Sequence, residues 1–188
     1  MKSILEISVV IPTVFRERSL ERCIRSILEQ EFKVSEIIIV SSKNIPNDFG
    51  YRFDTDEDKK KLPLIKFITS EKQNVQIQKK MGFNKAKGEI ICFLDDDIVL
   101  RKGFFNVIND TFLVHQANGV QPLVLSPRTD NGIKKFFKKI TLLNTDSGKG
   151  KFRISGFPGM PFYEDKYLEI EIMNGCSCFE KDVISEDD

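Results

Sequence analysis

Histidine is nearly absent from this sequence, His115 being the single example, and no two cysteines have the Cys-x-x-Cys spacing of a zinc site. The four cysteines, Cys23, Cys92, Cys176 and Cys178, have no histidine beside them in the sequence, which excludes a structural zinc centre. They read as reduced thiols in a cytoplasmic chain, and His115 reads as structural. An excess of charge is lacking too. Lysine plus arginine (29) against aspartate plus glutamate (28) leaves a net charge of +1, so no global field draws the chain to nucleic acid and any anion site must be local. No apolar run approaches the length of a bilayer span. Met1-Lys2-Ser3 leads toward a strand-like run without a leader-type apolar segment. No internal repeat or low-complexity tract is visible. What remains is 188 residues of ordinary globular composition, enough for one domain, 1–188, with a continuous core.

The apolar pattern alternates between strand and helix. Ile7-Ser8-Val9-Val10-Ile11 is nearly all apolar and β-branched, as suits a parallel strand covered on both faces, and Pro12 is expected to stop it. A loop over 12–18 follows. Leu20, Cys23, Ile24, Ile27 and Leu28 then share one helical face, with Ser19 placed to cap the N-terminus. Ile37–Val40 reads as a second buried strand and 43–61 as a polar, mobile loop. Leu64–Ile68 is a third strand, 75–87 a helix with a weak stripe (Ile77, Met81) closed by Gly88, and Ile90–Leu94 a fourth strand. Phe104, Ile108 and Phe112 fit another helix. Beyond it the chain turns irregular, and Leu168, Ile170 and Ile172 mark a half-exposed strand of a mixed sheet. Strands alternating with helices imply right-handed crossovers and an α/β fold with a mostly parallel sheet.

Asp95-Asp96-Asp97 at the mouth of the fourth strand is the strongest chemical signal, because three adjacent carboxylates repel one another unless a cation or hydrogen-bond donors neutralise them. In extended geometry Asp95 and Asp97 share one side and Asp96 takes the other. Mg²⁺ or Mn²⁺ takes one or two carboxylates and completes its shell with phosphate oxygens and water, so a metal-diphosphate seat is a natural reading beside that of a solvated acidic turn. Open α/β sheets bind ligands beyond the carboxyl ends of their strands. The loop from Pro12 to Arg18 opens on the same edge, and its backbone N–H groups with Arg16 or Arg18 suit an anion.

These residues together resemble family 2 glycosyltransferases. Val9-Val10-Ile11-Pro12-Thr13, the helix Leu20–Leu28, the turn Ala86-Lys87-Gly88-Glu89, the strand Ile90–Leu94 and the Asp95–Asp97 triplet follow the family's order. The likeness covers about residues 5–112, and Asn174–Phe179 resembles the acceptor-side segment. The resemblance implies a GT-A-like, Rossmann-related domain. It also implies transfer of a sugar, with inversion, from a nucleoside diphosphate (UDP-sugar favoured) to a saccharide or lipid-linked acceptor. Pro12, Thr13, Val14, Arg16, Glu17 and Ser41 would line the nucleotide pocket, with Lys79 near the diphosphate. Asp95 or Asp96 would meet the ribose, and Asp97 with Asp95 would hold Mg²⁺ or Mn²⁺. Two departures stand out: Ser41-Ser42 replaces a usual aspartate pair, and Lys79-Lys80 replaces an Arg-Asn pair and so loses the bidentate fork. Glu186 and Asp187 are the candidates for the acidic base. The acceptor half, 113–188, reads as partial, so the chain is expected to bind donor and to transfer sugar poorly.

Two rival readings stay open, a sugar-phosphate nucleotidyltransferase and a non-catalytic binding module. The first usually carries a glycine-rich loop after its first strand, and Pro12-Thr13-Val14-Phe15-Arg16 has no glycine. In 133–140, Ile133, Phe136, Phe137 and Ile140 oppose Lys134, Lys135, Lys138 and Lys139, a pattern shared by helices packed on a sheet and helices lying on anionic lipid.

Overall fold

A computed structural model describes residues 4–53, 63–122 and 176–183. The chain divides into two compact units, Met1–Val120 with Gly175–Asp188, and Gln121–Asn174. Nearly all described residues belong to the first. The amphipathic stretch 133–140, the alternating segment 168–172, and Glu186 and Asp187 lie outside the described residues.

The first unit contains β1 (Ile7–Thr13), α1 (Glu17–Leu28), β2 (Glu36–Ser41), β3 (Leu64–Thr69), α2 (Val75–Lys85), β4 (Ile90–Phe93), α3 (Phe104–His115), β5 (Gly119–Val120) and β6 (Ser177–Glu180). These strands form a sheet in the order β3-β2-β1-β4-β6-β5. The first four run parallel, and β6 is antiparallel to both β4 and β5. The mostly parallel α/β sheet expected from the sequence is therefore present, with the mixed part entering through β5 and β6. The Asn174–Phe179 stretch contributes β6, which sets Cys178 opposite Cys92.

Both faces of the central strands are covered, which explains their unbroken apolar runs. Ile7, Val9, Ile11, Ile37, Ile39, Ile90 and Cys92 share one core with Leu20, Ile24 and Ile27 of α1 and with Phe105, Ile108 and Phe112 of α3. Val10, Ile38, Val40, Ile91 and Phe93 fill the other with Phe83 and Ala86. The period-2 alternation of strands thus splits one sequence run between two cores. Cys23, Cys92, Cys176 and Cys178 are free and buried. Desolvation, aided by the neighbouring Cys176 thiol, pushes Cys23 up to about 12, so it packs as a protonated, inert group.

Several expectations are corrected. Pro12 does not stop β1: it pairs with Val40, and the strand runs on to Thr13. Val10 C=O faces β4 and Thr13 C=O faces β2, so Pro12 turns its missing N–H toward β4, where pairing already ends at Val10 and Phe93. Ser19 is not a cap, because α1 starts at Glu17 with Arg16 at the N-cap and no side chain capping it. The buried residues of α2 are Gln78, Gly82 and Phe83, whereas Ile77 is exposed and Met81 only partly buried. Its start is fixed by Asn74, whose Oδ1 accepts from the N–H groups of Gln76 (2.9 Å) and Ile77 (3.1 Å). Gly88 does not close α2, which ends at Lys85. Gly88 sits where a Cβ would lie 2.7 Å from both Glu6 O and Ser8 N. The described part of the loop after β2, 42–53, is also more anchored than its polarity implied, since Phe49 and Phe53 are buried and Phe15 meets Phe49 edge to face at 5.2 Å.

Candidate functional site

The strand order reverses at β1 and β4: the chain moves outward from β1 through β2 and β3, then returns to add β4 on the opposite side. The loops leaving β1 and β4 lie side by side at this switch point, the usual ligand position in such sheets. Both sequence-predicted motifs fall there.

Thr13 ends β1, and its Oγ1 donates to Asp96 Oδ2 at 2.5 Å while accepting from Phe15 N–H at 2.9 Å. Phe15 takes a left-handed conformation, φ 58°, uncommon for a residue with a side chain. The bond to Thr13 and the ring contact with Phe49 hold it there. That turn projects Arg16 back over the end of β4. Arg16 Nε donates to Asp96 Oδ2 at 3.3 Å and Nη2 to Asp96 Oδ1, while Nη1 lies 3.1 Å from Asp97 Oδ2. Asp96 is 2% exposed, and both of its oxygens are engaged by Thr13 and Arg16.

The aspartate triplet is therefore not extended. Asp96 and Asp97 lie in a turn, with Ile98 N–H donating to Asp95 O at 3.4 Å, and one guanidinium bridges Asp96 and Asp97 instead of the two residues facing apart. α1 and Gln30, just beyond its end, hold this loop. Cys23 Sγ donates to Asp95 O (3.6 Å), Ser26 Oγ accepts from Leu100 N–H (3.1 Å), and Gln30 Oε1 accepts from Phe104 N–H (3.1 Å). Sequence reading missed Ser26, Gln30 and Gln78. Gln78, 2% exposed, donates through Nε2 to Thr13 O (2.8 Å) and Val40 O (3.1 Å), satisfying carbonyls at the strand ends. The available signal was a glutamine next to the glycine-bearing face of a helix whose apolar stripe was weak.

The other predicted residues are distributed around this centre. Pro12 is buried in β1 and Val14 half-buried after it. Glu17 is paired with Arg52 at 2.6 Å. Ser41 stands in register with Thr13, but its hydroxyl is closed within its own turn, donating to Lys43 O (2.7 Å) and accepting from Lys43 N–H (3.1 Å). Ser42 Oγ beside it is buried without a hydrogen-bond partner among the described residues. Lys79 places its ammonium 5.5 Å from the centroid of Phe93, the last residue of β4. Glu186 and Asp187 lie outside the described residues.

The donor set suits a hard divalent cation. Its oxygens are carboxylates and Asp97 is half exposed, although the Arg16 guanidinium lies across Asp96 and Asp97 and would have to release Asp97. Among the described residues no group of three or more His, Cys, Asp or Glu side chains is placed to hold a metal ion.

A polar loop and a carboxylate turn thus meet at the switch point, where α/β sheets of this kind bind their ligands. The Glycosyl transferase family 2 model matches residues 8–179, and the chain belongs to that family. It is 35% identical over 163 residues to the GalNAc(5)-diNAcBac-PP-undecaprenol beta-1,3-glucosyltransferase of Campylobacter jejuni, a match covering 82% of this chain and 49% of the relative. It is 27% identical over 97 residues to the poly(ribitol-phosphate) beta-N-acetylglucosaminyltransferase TarP of Staphylococcus aureus, covering 52% of this chain and 30% of the relative. Among solved structures, S. aureus TarS 1–349 superposes with a TM-score of 0.55 at 17% identity, over 68% of this chain and 38% of that one. The fold is thus that of GT-A glycosyltransferases. The chain spans about half the length of the first relative and less of the others.

Proposed function

We propose that this chain carries the donor site of a glycosyltransferase that moves a sugar from a nucleoside diphosphate, UDP-sugar favoured, to a saccharide or lipid-linked acceptor with inversion. The observation that carries it is the meeting of Thr13 and Arg16 with Asp96 and Asp97 at the β1–β4 switch point. In this reading Thr13 and Arg16 fix Asp96 at the switch point, and Asp97 with Asp95 beside it would hold Mg²⁺ or Mn²⁺. The cation's chemistry would be to offset charge on the departing diphosphate. Arg16 and Lys79 supply further positive charge beside that path, and the loop 12–17 borders the nucleoside. With Ser41 and Ser42 standing where the family usually has an aspartate pair, and Ser41 closed on its own turn, discrimination among bases is weak. The named activity of the Campylobacter relative supports a lipid-linked acceptor. Such an acceptor would place the enzyme at the cytoplasmic face of a membrane, where the basic stretch 133–140 would meet anionic lipid. No described helix is long and apolar enough to cross a membrane.

Calorimetric titration with uridine, guanosine and thymidine diphosphates, in Mn²⁺ and in EDTA, tests the reading. Uridine diphosphate is expected to bind best and only with metal. Equal affinity in Mn²⁺ and EDTA would refute the metal assignment, and a clear lead for guanosine diphosphate would refute the base preference.

A further inference from the structure

Arg16 does more here than a surface arginine needs to. Its side chain is 53% exposed, yet its guanidinium is committed on two sides, to buried Asp96 through Nε and Nη2 and to Asp97 through Nη1. The two carboxylates differ sharply in freedom. Asp96 also receives Thr13 and is sealed in, whereas Asp97 is 50% exposed and pairs with Arg16. Among the described residues the guanidinium paired with this turn is that of Arg16, and it sits on the carboxylate that the donor-site reading gives to the metal.

We propose that Arg16 is a built-in counter-cation that holds Asp97 until a metal-bound nucleoside diphosphate arrives, so that divalent metal enters this site with the diphosphate and not before it. This rests on the donor-site reading above. The exchange conserves charge locally. Asp97 passes from guanidinium to metal, and Arg16, still pivoting on Asp96, turns the freed Nη1 toward a phosphate oxygen, a partner its planar fork suits. Metal alone must compete with the guanidinium for Asp97 and gains nothing in return. Metal with diphosphate replaces the lost ion pair by an Arg–phosphate contact. The two ligands are then coupled through one side chain, and the coupling must be reciprocal.

The test is a Mn²⁺ titration followed by electron paramagnetic resonance, with and without uridine diphosphate, on the parent chain and on Arg16→Gln. The parent should bind Mn²⁺ weakly alone and at least about tenfold more tightly with the nucleotide, within the roughly 5–150-fold range of ordinary coupling. Arg16→Gln should bind Mn²⁺ alone about tenfold more tightly than the parent does, and the nucleotide's enhancement should shrink. A folded Arg16→Gln whose affinity for Mn²⁺ alone equals or falls below the parent's overturns the exchange while leaving the donor site standing. A parent that takes up no Mn²⁺ even with uridine diphosphate overturns the donor-site reading and the exchange with it. Should Arg16→Gln fail to fold, the parent's Arg16 Nε–H resonance decides: it must shift with Mg²⁺ and uridine diphosphate together but not with Mg²⁺ alone, and a resonance unmoved by the pair overturns the exchange.

Discussion

Replacing Thr13 by valine tests whether the site is held together by the bond between β1 and the turn after β4. Valine keeps the branched shape and the strand propensity, so little packing changes, but the hydroxyl that donates to Asp96 and accepts from Phe15 N–H is gone. A hydrogen bond to a charged group contributes about 1.5–3 kcal/mol, and more is lost when the partner stays buried without it. Thr13 is 4% exposed and Asp96 2%, so water cannot replace the donor without opening the loop. Arg16 still covers Asp96, which limits the loss. The expected destabilisation is about 2–3 kcal/mol, a large share of the ~5–15 kcal/mol typical of a domain. Thr13→Ser keeps the hydroxyl and removes one methyl, at a cost of about 0.8 kcal/mol. Urea unfolding should therefore rank parent, Thr13→Ser, Thr13→Val, with similar slopes. Thr13→Val combined with Asp96→Asn should lose clearly less than the sum of the single changes, because each removes the same contact. A Thr13→Val chain as stable as Thr13→Ser, or strict additivity in the double variant, would refute the latch.

Further tests address other parts of the molecule. Burial favours the neutral form of Glu36, but hydrogen bonds from Lys66, Ser8 and the Lys87 backbone outweigh it and hold the carboxyl below its usual range. Its contribution is therefore complete above the unfolded value of about 4.3 and fades as pH falls through the lower folded value, so Glu36→Gln should flatten the acid limb of a stability–pH profile. Gly82→Ala places a Cβ 2.3 Å from Val10 Cγ1 and should cost about 1–3 kcal/mol by overpacking α2 against β1, read as a lower urea midpoint. Asn74→Ala removes both cap acceptances at the start of α2 and should cost about 1 kcal/mol in the same assay. Asp97→Ala should abolish the metal dependence of nucleotide binding together with most of the affinity, as measured by calorimetry; retained Mn²⁺ dependence would move the metal elsewhere.

The parts of the fold legible in the sequence were those written in side-chain periodicity. Runs such as Ile37–Val40 announce a strand covered on both faces, and Leu20, Cys23, Ile24 and Ile27 announce a helix face. Features that depend on where the backbone points were not legible. Pro12 is tolerated because its nitrogen faces past the end of β4, and that direction follows from pairing register, which no local pattern encodes. Gly88 looked like a helix stop because glycine often is one, yet its role is a close approach to Glu6 and Ser8 across the sheet. Gln78 was hidden because a buried polar residue weakens the very periodicity used to find a helix face. The network of Ser8, Glu36 and Lys66 at the opposite edge of the strands was invisible for a different reason: its members lie 28 and 30 residues apart.

The aspartate triplet shows how little adjacency says about role. In the sequence Asp95, Asp96 and Asp97 are equivalent carboxylates that must be neutralised. In the fold the strand ends at Phe93 and the chain turns, which gives each a different neighbourhood. Asp95 offers its carbonyl to Cys23 Sγ and to Ile98 N–H, so its backbone is fixed to α1. Asp96 turns inward, saturated by Thr13 and Arg16, and a ligand that engaged its carboxylate would first have to break that latch. Asp97 turns outward, half exposed, held by a side chain able to leave. A ribose contact assigned to Asp95 or Asp96 on resemblance therefore falls more naturally to Asp95, because a buried carboxylate that already accepts three hydrogen bonds gains little by exchanging them for one hydroxyl. Asp96→Asn should then damage stability more than nucleotide affinity, and Asp95→Asn the reverse. Unfolding and binding measured on the same two variants separate these outcomes, and equal effects on affinity would return Asp96 to the ligand.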